Sequence, residues 1–236
     1  MAALYGPSSV EYDLGGGVTV KIEEKTNYPF EEQVRFEFSF FENGKASNKS
    51  YDMDFTYRIP GWCKAEKAGF KTVSKAWKTG DTFTVNLPME IEVVDNAVAG
   101  TSVQRGPIVY TYAVPVNQQE DPEIYSNMAG KVSANPDFKN WSMKPAGKWN
   151  YALVKNQLGN LKAEKTGASG FPFDLQNVPM KIRVPVVGVK GWTLQEDRYT
   201  PALPEKVEAE GGIQYIDLVP YGSTTLRLTI FPTVEK

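Results

Sequence analysis

Short segments in which apolar and polar residues alternate, each closed by turn residues, run through almost the whole chain. No stretch of a dozen residues holds a helical period. That pattern restricts the chain to sheets with one buried and one wetted face. Val18-Thr-Val-Lys-Ile-Glu-Glu alternates in this way. Gln33-Val-Arg-Phe-Glu-Phe-Ser-Phe-Phe does the same and puts Val34, Phe36, Phe38 and Phe40 on one face. Tyr51-Asp-Met-Asp-Phe-Thr-Tyr-Arg-Ile repeats the pattern until Pro60-Gly61 stops it, and Thr82-Phe-Thr-Val-Asn-Leu follows. Pro107-Ile-Val-Tyr-Thr-Tyr-Ala-Val reads as a more fully buried strand. Gly15-Gly16-Gly17 and Asn43-Gly44 lie between strand-like segments, as hairpin turns do.

Composition changes after Val116. Residues 117–148 carry Asn, Gln, Pro, Gly and scattered aromatics without a clear period, and Glu120-Asp-Pro-Glu-Ile-Tyr suits a short helical turn. Strand-like segments then return at Trp149-Asn-Tyr-Ala-Leu-Val, Met180-Lys-Ile-Arg-Val-Pro-Val-Val-Gly-Val, Ile213-Gln-Tyr-Ile-Asp-Leu and Thr224-Thr-Leu-Arg-Leu-Thr-Ile-Phe. Pro185 marks the second of these as an edge strand or the site of a bulge. The expected fold is all-β, with two tandem antiparallel β-sandwich domains of jelly-roll or immunoglobulin-like type, 1–116 and 117–236.

The residue types present narrow the chemistry. Among 236 residues there is no His and one Cys, Cys63. This excludes a Ser-His-Asp triad, a Cys-His pair, a His-ligated metal and an intramolecular disulfide. No phosphate-cradling glycine motif is present, so no cofactor or metal is expected. With 26 basic and 28 acidic side chains the net charge is −2, unlike the basic excess of a nucleic-acid binder. No apolar run is long enough to span a membrane as a helix, and the first residues carry no signal-peptide pattern.

The first half holds an ordered set of motifs: Leu4-Tyr-Gly-Pro-Ser, Thr26-Asn-Tyr-Pro-Phe, Tyr57-Arg-Ile-Pro-Gly-Trp, Trp77-Lys-Thr-Gly-Asp, Asn86-Leu-Pro-Met and Gln104-Arg-Gly-Pro-Ile-Val-Tyr. In the second half stand Trp149-Asn-Tyr-Ala-Leu, Val178-Pro-Met-Lys-Ile, Trp192-Thr-Leu, Pro201-Ala-Leu-Pro and Leu218-Val-Pro-Tyr-Gly-Ser-Thr-Thr-Leu-Arg. Together they resemble the C-terminal half of the β-L-arabinofuranosidase family, glycoside hydrolase family 127. The resemblance implies an (α/α)6 catalytic barrel upstream as the partner of two sandwiches, and an exported polysaccharide-degrading parent from a bacterium. It also implies a catalytic site of cysteines, a glutamate and histidines around zinc, housed in the barrel. None of those motifs has a match here, so the expected role is to brace the barrel without catalysing, with dimer contacts through one sandwich as a further expectation.

Candidate site residues divide by chemistry. Cys63 reads as a small buried thiol behind Trp62, and Asp52 and Asp54 as one solvated strand face rather than a catalytic pair. Arg105, beside the Gly106-Pro107 turn, is expected to fork onto backbone carbonyls or a carboxylate, with Gly106 allowing a close approach. Asn48 and Asn140 stand in short glycosylation-like patterns. The alternative to a scaffold is a carbohydrate-binding module that stacks an oligosaccharide on exposed aromatics of the second domain. Its candidates are Trp141, Trp149, Tyr151 and Trp192, with Tyr199 and Tyr221 nearby in type. Trp149 and Tyr151, two residues apart, are expected on one strand face. Trp62 and Trp77 are expected in the core, and Trp141 and Trp192, next to Ser, Lys and Gly, are expected to pack against a loop or a partner domain ahead of binding a ligand.

Overall fold

The computed structural model describes residues 1–96, 100–120, 137, 140–196 and 200–236. The chain is all-β, with antiparallel sheets in a sandwich-like arrangement. It divides into two compact units: Met1–Glu90 with Arg105–Ile108, and Ile91–Gln104 with Val109–Lys236.

The first unit contains β1 (Ser8–Gly15), β2 (Val18–Thr26), β3 (Gln33–Glu42), β4 (Lys45–Ser47), β5 (Tyr51–Ile59), β6 (Gly69–Trp77) and β7 (Thr82–Asn86). One sheet runs β1-β2-β3-β4, with β7 also paired to β3; β5 and β6 form a separate antiparallel ribbon. The two tight hairpins fall where the glycines require. Gly15, Gly16 and Gly17 have φ of 86°, 62° and 78°, and Asn43-Gly44 turns with φ of 50° and 77°.

β3 organises this unit. β2 covers one edge along its length. On the other edge β7 pairs with residues 33–37 and β4 with residues 40–42. The gap between them is closed by the turn at Lys78–Asp81. The Phe38 N–H donates to the Asp81 carbonyl at 3.0 Å, the Gly80 N–H to the Phe38 carbonyl at 2.9 Å, and the Phe40 N–H to Thr79 Oγ1 at 2.9 Å. Along this edge the backbone groups of a ten-residue strand are thus met by three different pieces of chain.

Val34, Phe36, Phe38 and Phe40 are buried on one face of β3, as the alternation requires. Phe55 of the ribbon sits 4.9 Å from Phe36 and 5.3 Å from Phe38 between ring centroids, and Trp77 sits 4.2 Å from Phe38. The ribbon therefore forms the second layer over an aromatic core. On the other face of β3, Glu37 forms ion pairs with both Arg35 and Lys25.

The second unit contains β8 (Ile91–Asn96), β9 (Gly100–Arg105), β10 (Ile108–Ala113), β11 (Val116–Glu120), β12 (Trp141–Pro145), β13 (Tyr151–Val154), β14 (Ala163–Lys165), β15 (Met180–Val189), β16 (Ala209–Pro220), β17 (Arg227–Leu228) and β18 (Thr233–Val234). Of these strands, the last residue of β9 and the first of β10 group with the first unit. A curled sheet runs β18-β13-β15-β16-β10-β9-β8, with β14 beside β15 and β17 beside β10; β11 and β12 form a ribbon of their own. The helical turn expected from Glu120 to Tyr125 lies outside the described residues, except for Glu120, which ends β11.

β15 is an interior strand, not an edge. β16 lies on one side of it, and β14 and β13 share the other. Pro185 is accommodated there because β14 pairs only as far as Ile182 and β13 begins at Val186. The missing N–H thus falls in a gap between two short partners. The register slip against β16 comes just after, between Val186 and Gly188. Beyond it both faces of β15 are buried, and Val187 and Val189 join Ala152, Val154 and Trp192 in a local core.

Candidate functional site

Two of the four aromatic candidates come together. Trp149 and Trp192 have ring centroids 5.0 Å apart and planes at 57°. They line an open cavity of about 630 Å³ with Asn117, Lys144, Lys148 and Asn150. Both also pack on the local core of Ala152, Val154, Val187 and Val189. Trp192 is only 6% exposed, and its indole N–H is spent on the Ala202 carbonyl at 2.9 Å. Asn150 Nδ2 donates to the Val189 carbonyl at 2.7 Å, and Lys148 pairs with Glu210 at 2.8 Å. That pairing holds the Glu210 carboxyl below its usual range.

The other two candidates stand apart from this pair. Tyr151 is buried and packs edge-on against Tyr112, with centroids 5.4 Å apart. It does not share a face with Trp149. The Tyr151 N–H bonds back to the Trp149 carbonyl, so the chain turns before β13 begins and the two-residue alternation does not reach Trp149. Trp141 is 44% exposed on the β11–β12 ribbon, opposite Glu120. Tyr199 lies outside the described residues. Tyr221 is exposed and holds the Arg227 guanidinium 3.9 Å from its ring.

Trp77 is wholly buried, with its N–H on the Met53 carbonyl at 2.9 Å, and Trp62 packs partly buried on the same core. Cys63 is buried in that core too, out of reach of a substrate. Asp52 and Asp54 are exposed on β5. Among the described residues, no group of three or more Cys, Asp or Glu side chains is placed to hold a metal ion.

Arg105 forks as its position suggests. Nη1 donates to the Phe30 carbonyl at 3.2 Å, and Nη2 pairs with Glu32 at 2.7 Å. Gly106 has φ of 55°, and a Cβ there would lie 2.8 Å from Met89 Cγ. Half-buried Tyr5 and buried Glu24 fasten the N-terminal segment. The Tyr5 hydroxyl donates to the Arg58 carbonyl, and burial pushes its pKa up to about 12. The Glu24 carboxylate accepts from the Gly6 N–H at 2.8 Å, and burial raises its pKa against that bond.

A second open cavity, of about 430 Å³, lies over the outward side of β14, β15 and β16. Tyr215, Pro185 and Arg183 line it with Gln157, Asn160 and Glu164. Tyr215 was not singled out in the sequence, although alternation in Ile213-Gln-Tyr-Ile-Asp-Leu sets it opposite the buried Ile216 and Leu218. That alternation was the available signal.

Residues 1–89 match the family model described as "Beta-L-arabinofuranosidase, GH127 middle domain", a span that coincides with the first unit's Met1–Glu90. Three solved structures share the fold. A GH127 β-L-arabinofuranosidase from Geobacillus stearothermophilus T6 is 22% identical with a TM-score of 0.53; the match covers 93% of this chain and 30% of that one. A structure titled glycoside hydrolase is 17% identical with a TM-score of 0.58, covering 99% and 35% of the two chains. A GH127 β-arabinofuranosidase is 15% identical with a TM-score of 0.53, covering 93% and 32%. A search of the curated proteins found no match. The first 89 residues are thus similar to the GH127 middle domain, and the chain spans about a third of the length of the solved structures whose fold it shares.

Proposed function

We propose that this chain is a non-catalytic accessory region of a β-L-arabinofuranosidase-like glycoside hydrolase, whose β-sandwiches brace a helical catalytic barrel. The observation that carries this reading is the match of residues 1–89 to the GH127 middle domain. The residue inventory agrees with it. A chain with no His and one buried Cys cannot assemble a site of thiolates and imidazoles around zinc. A brace acts through rigidity, and the first unit supplies it in the stacked layers around Phe36, Phe38, Phe55 and Trp77. Bracing is tested by deleting the equivalent region from the Geobacillus enzyme. The barrel left behind is expected to aggregate or to melt well below the intact enzyme; an equally stable and active truncated enzyme would overturn the role.

The second reading is saccharide binding. Burial of Trp192 and Tyr151 withdraws two of the four expected platforms. What favours the reading is the exposed Tyr215 in its polar cavity.

A further inference from the structure

The geometry points to the cavity over β14, β15 and β16 as a subsite for one ring of a neutral oligosaccharide, an assignment that rests on the saccharide-binding reading above. A sugar ring needs a flat apolar platform under its C–H face and short polar groups around its rim. Tyr215 of β16 stands in register with Pro185 of β15, and because Pro185 is buried the exposed phenol ring alone supplies the floor. Tyr215 is 56% exposed, and the Arg183 guanidinium lies over its ring at 5.5 Å from the centroid, a loose contact that a stacked sugar would share or displace. The short 3-10 helix Lys155–Asn160 brings the amides of Gln157 and Asn160 to the rim. Each amide offers a donor and an acceptor, the combination that a vicinal diol can match. Among the described residues, the side chains of Gln157 and Asn160 have no hydrogen-bond partner, so they are available to a ligand. Glu164 on the same rim adds an acceptor for hydroxyl protons, and Lys162 and Arg183 in the lining add donors, so the galacturonate arm of the test decides whether the site takes a charged ring. The cavity is open and about 430 Å³, which suits one ring of a chain that continues into solvent.

The test is an NMR titration of the whole chain with an arabinotriose and, separately, a galacturonate trimer. Arabinotriose is expected to shift the amide resonances of Tyr215 and Asn160. Tyr215→Ala is expected to weaken binding about tenfold and Asn160→Ala severalfold, while Tyr215→Phe keeps the platform and the affinity. Trp141→Ala should change nothing. Melting curves identify any variant that fails to fold, and Tyr215→Phe with Asn160→Ala then carries the comparison. Binding that survives Tyr215→Ala and disappears with Trp141→Ala would overturn this subsite and leave saccharide binding standing. Binding of galacturonate alone would overturn the neutral-sugar assignment. No binding of either trimer at millimolar concentration would overturn both the subsite and the reading it rests on.

Discussion

Arg105 and Glu32, 73 positions apart in sequence, form a 2.7 Å ion pair in which the guanidinium is almost buried and the carboxylate partly exposed. Glu32 is shared: its other bonds take the Met89 N–H on the side chain and the Leu87 N–H on the backbone. The pair therefore ties the loop after β2 to the end of the first unit. Arg105→Ala removes this pair and the bond to the Phe30 carbonyl. It is expected to cost about 2 kcal/mol in urea unfolding of the intact chain, near the upper range for bonds to charged groups. Arg105→Lys recovers only part, because an ammonium cannot fork onto both acceptors. A double-mutant cycle with Glu32→Gln should show coupling; strict additivity would mean that the two side chains act independently.

Phe38 and Trp77 meet at 4.2 Å in the layer between the sheet and the ribbon, and both are buried. Phe38→Ala leaves a cavity that the surrounding rings cannot fill without leaving their rotamers. A loss of about 3–5 kcal/mol is expected, measured from the urea midpoint at constant slope. Phe38→Leu should lose less. A near-neutral Phe38→Ala would mean that the two layers do not depend on this contact.

Glu24 gives the first unit a pH dependence of defined sign. Burial raises its folded pKa, so the folded chain holds this proton to higher pH than the unfolded chain does. The group's contribution to stability therefore falls as pH climbs from the ordinary carboxylate pKa through the raised one, and the cost is complete above both. Glu24→Gln keeps an acceptor for the Gly6 N–H and removes the buried charge. Its melting temperature relative to the natural chain is expected to improve between about pH 4 and pH 7. A constant difference over that range would show that Glu24 ionises as freely when folded as when unfolded.

The first unit was the more legible in sequence. Alternation at Val34, Phe36, Phe38 and Phe40 fixed which side of β3 faces inward, and the glycine turns fell between the right strands. Pairing partners are a different matter. Alternation marks a strand's faces and says nothing of its neighbours, so the path of β8, β9 and β10 into the sheet of β16 could not be read from it. Of the two readings of Pro185, the edge strand fails, while a bulge or irregularity does follow it between Val186 and Gly188. The rule that places proline at an edge assumes a full-length neighbour, whereas β13 and β14 leave a gap between them. Aromatic residue type was also a poor guide to exposure. Trp192 packs against a loop through its bond to the Ala202 carbonyl, as its small and polar neighbours suggested, whereas Tyr215, exposed in plain alternation, carries no such mark by residue type.

The central claim is that this polypeptide supports a glycosidase and does not itself cleave glycosidic bonds. The most direct measurement incubates the purified chain with an aryl β-L-arabinofuranoside, with zinc and a thiol reductant present, and follows release of the phenol by absorbance. The account predicts a rate equal to that of buffer alone. A turnover rate above that blank that scales with protein concentration would contradict it, and its loss in Cys63→Ser would place the chemistry on this chain's only thiol.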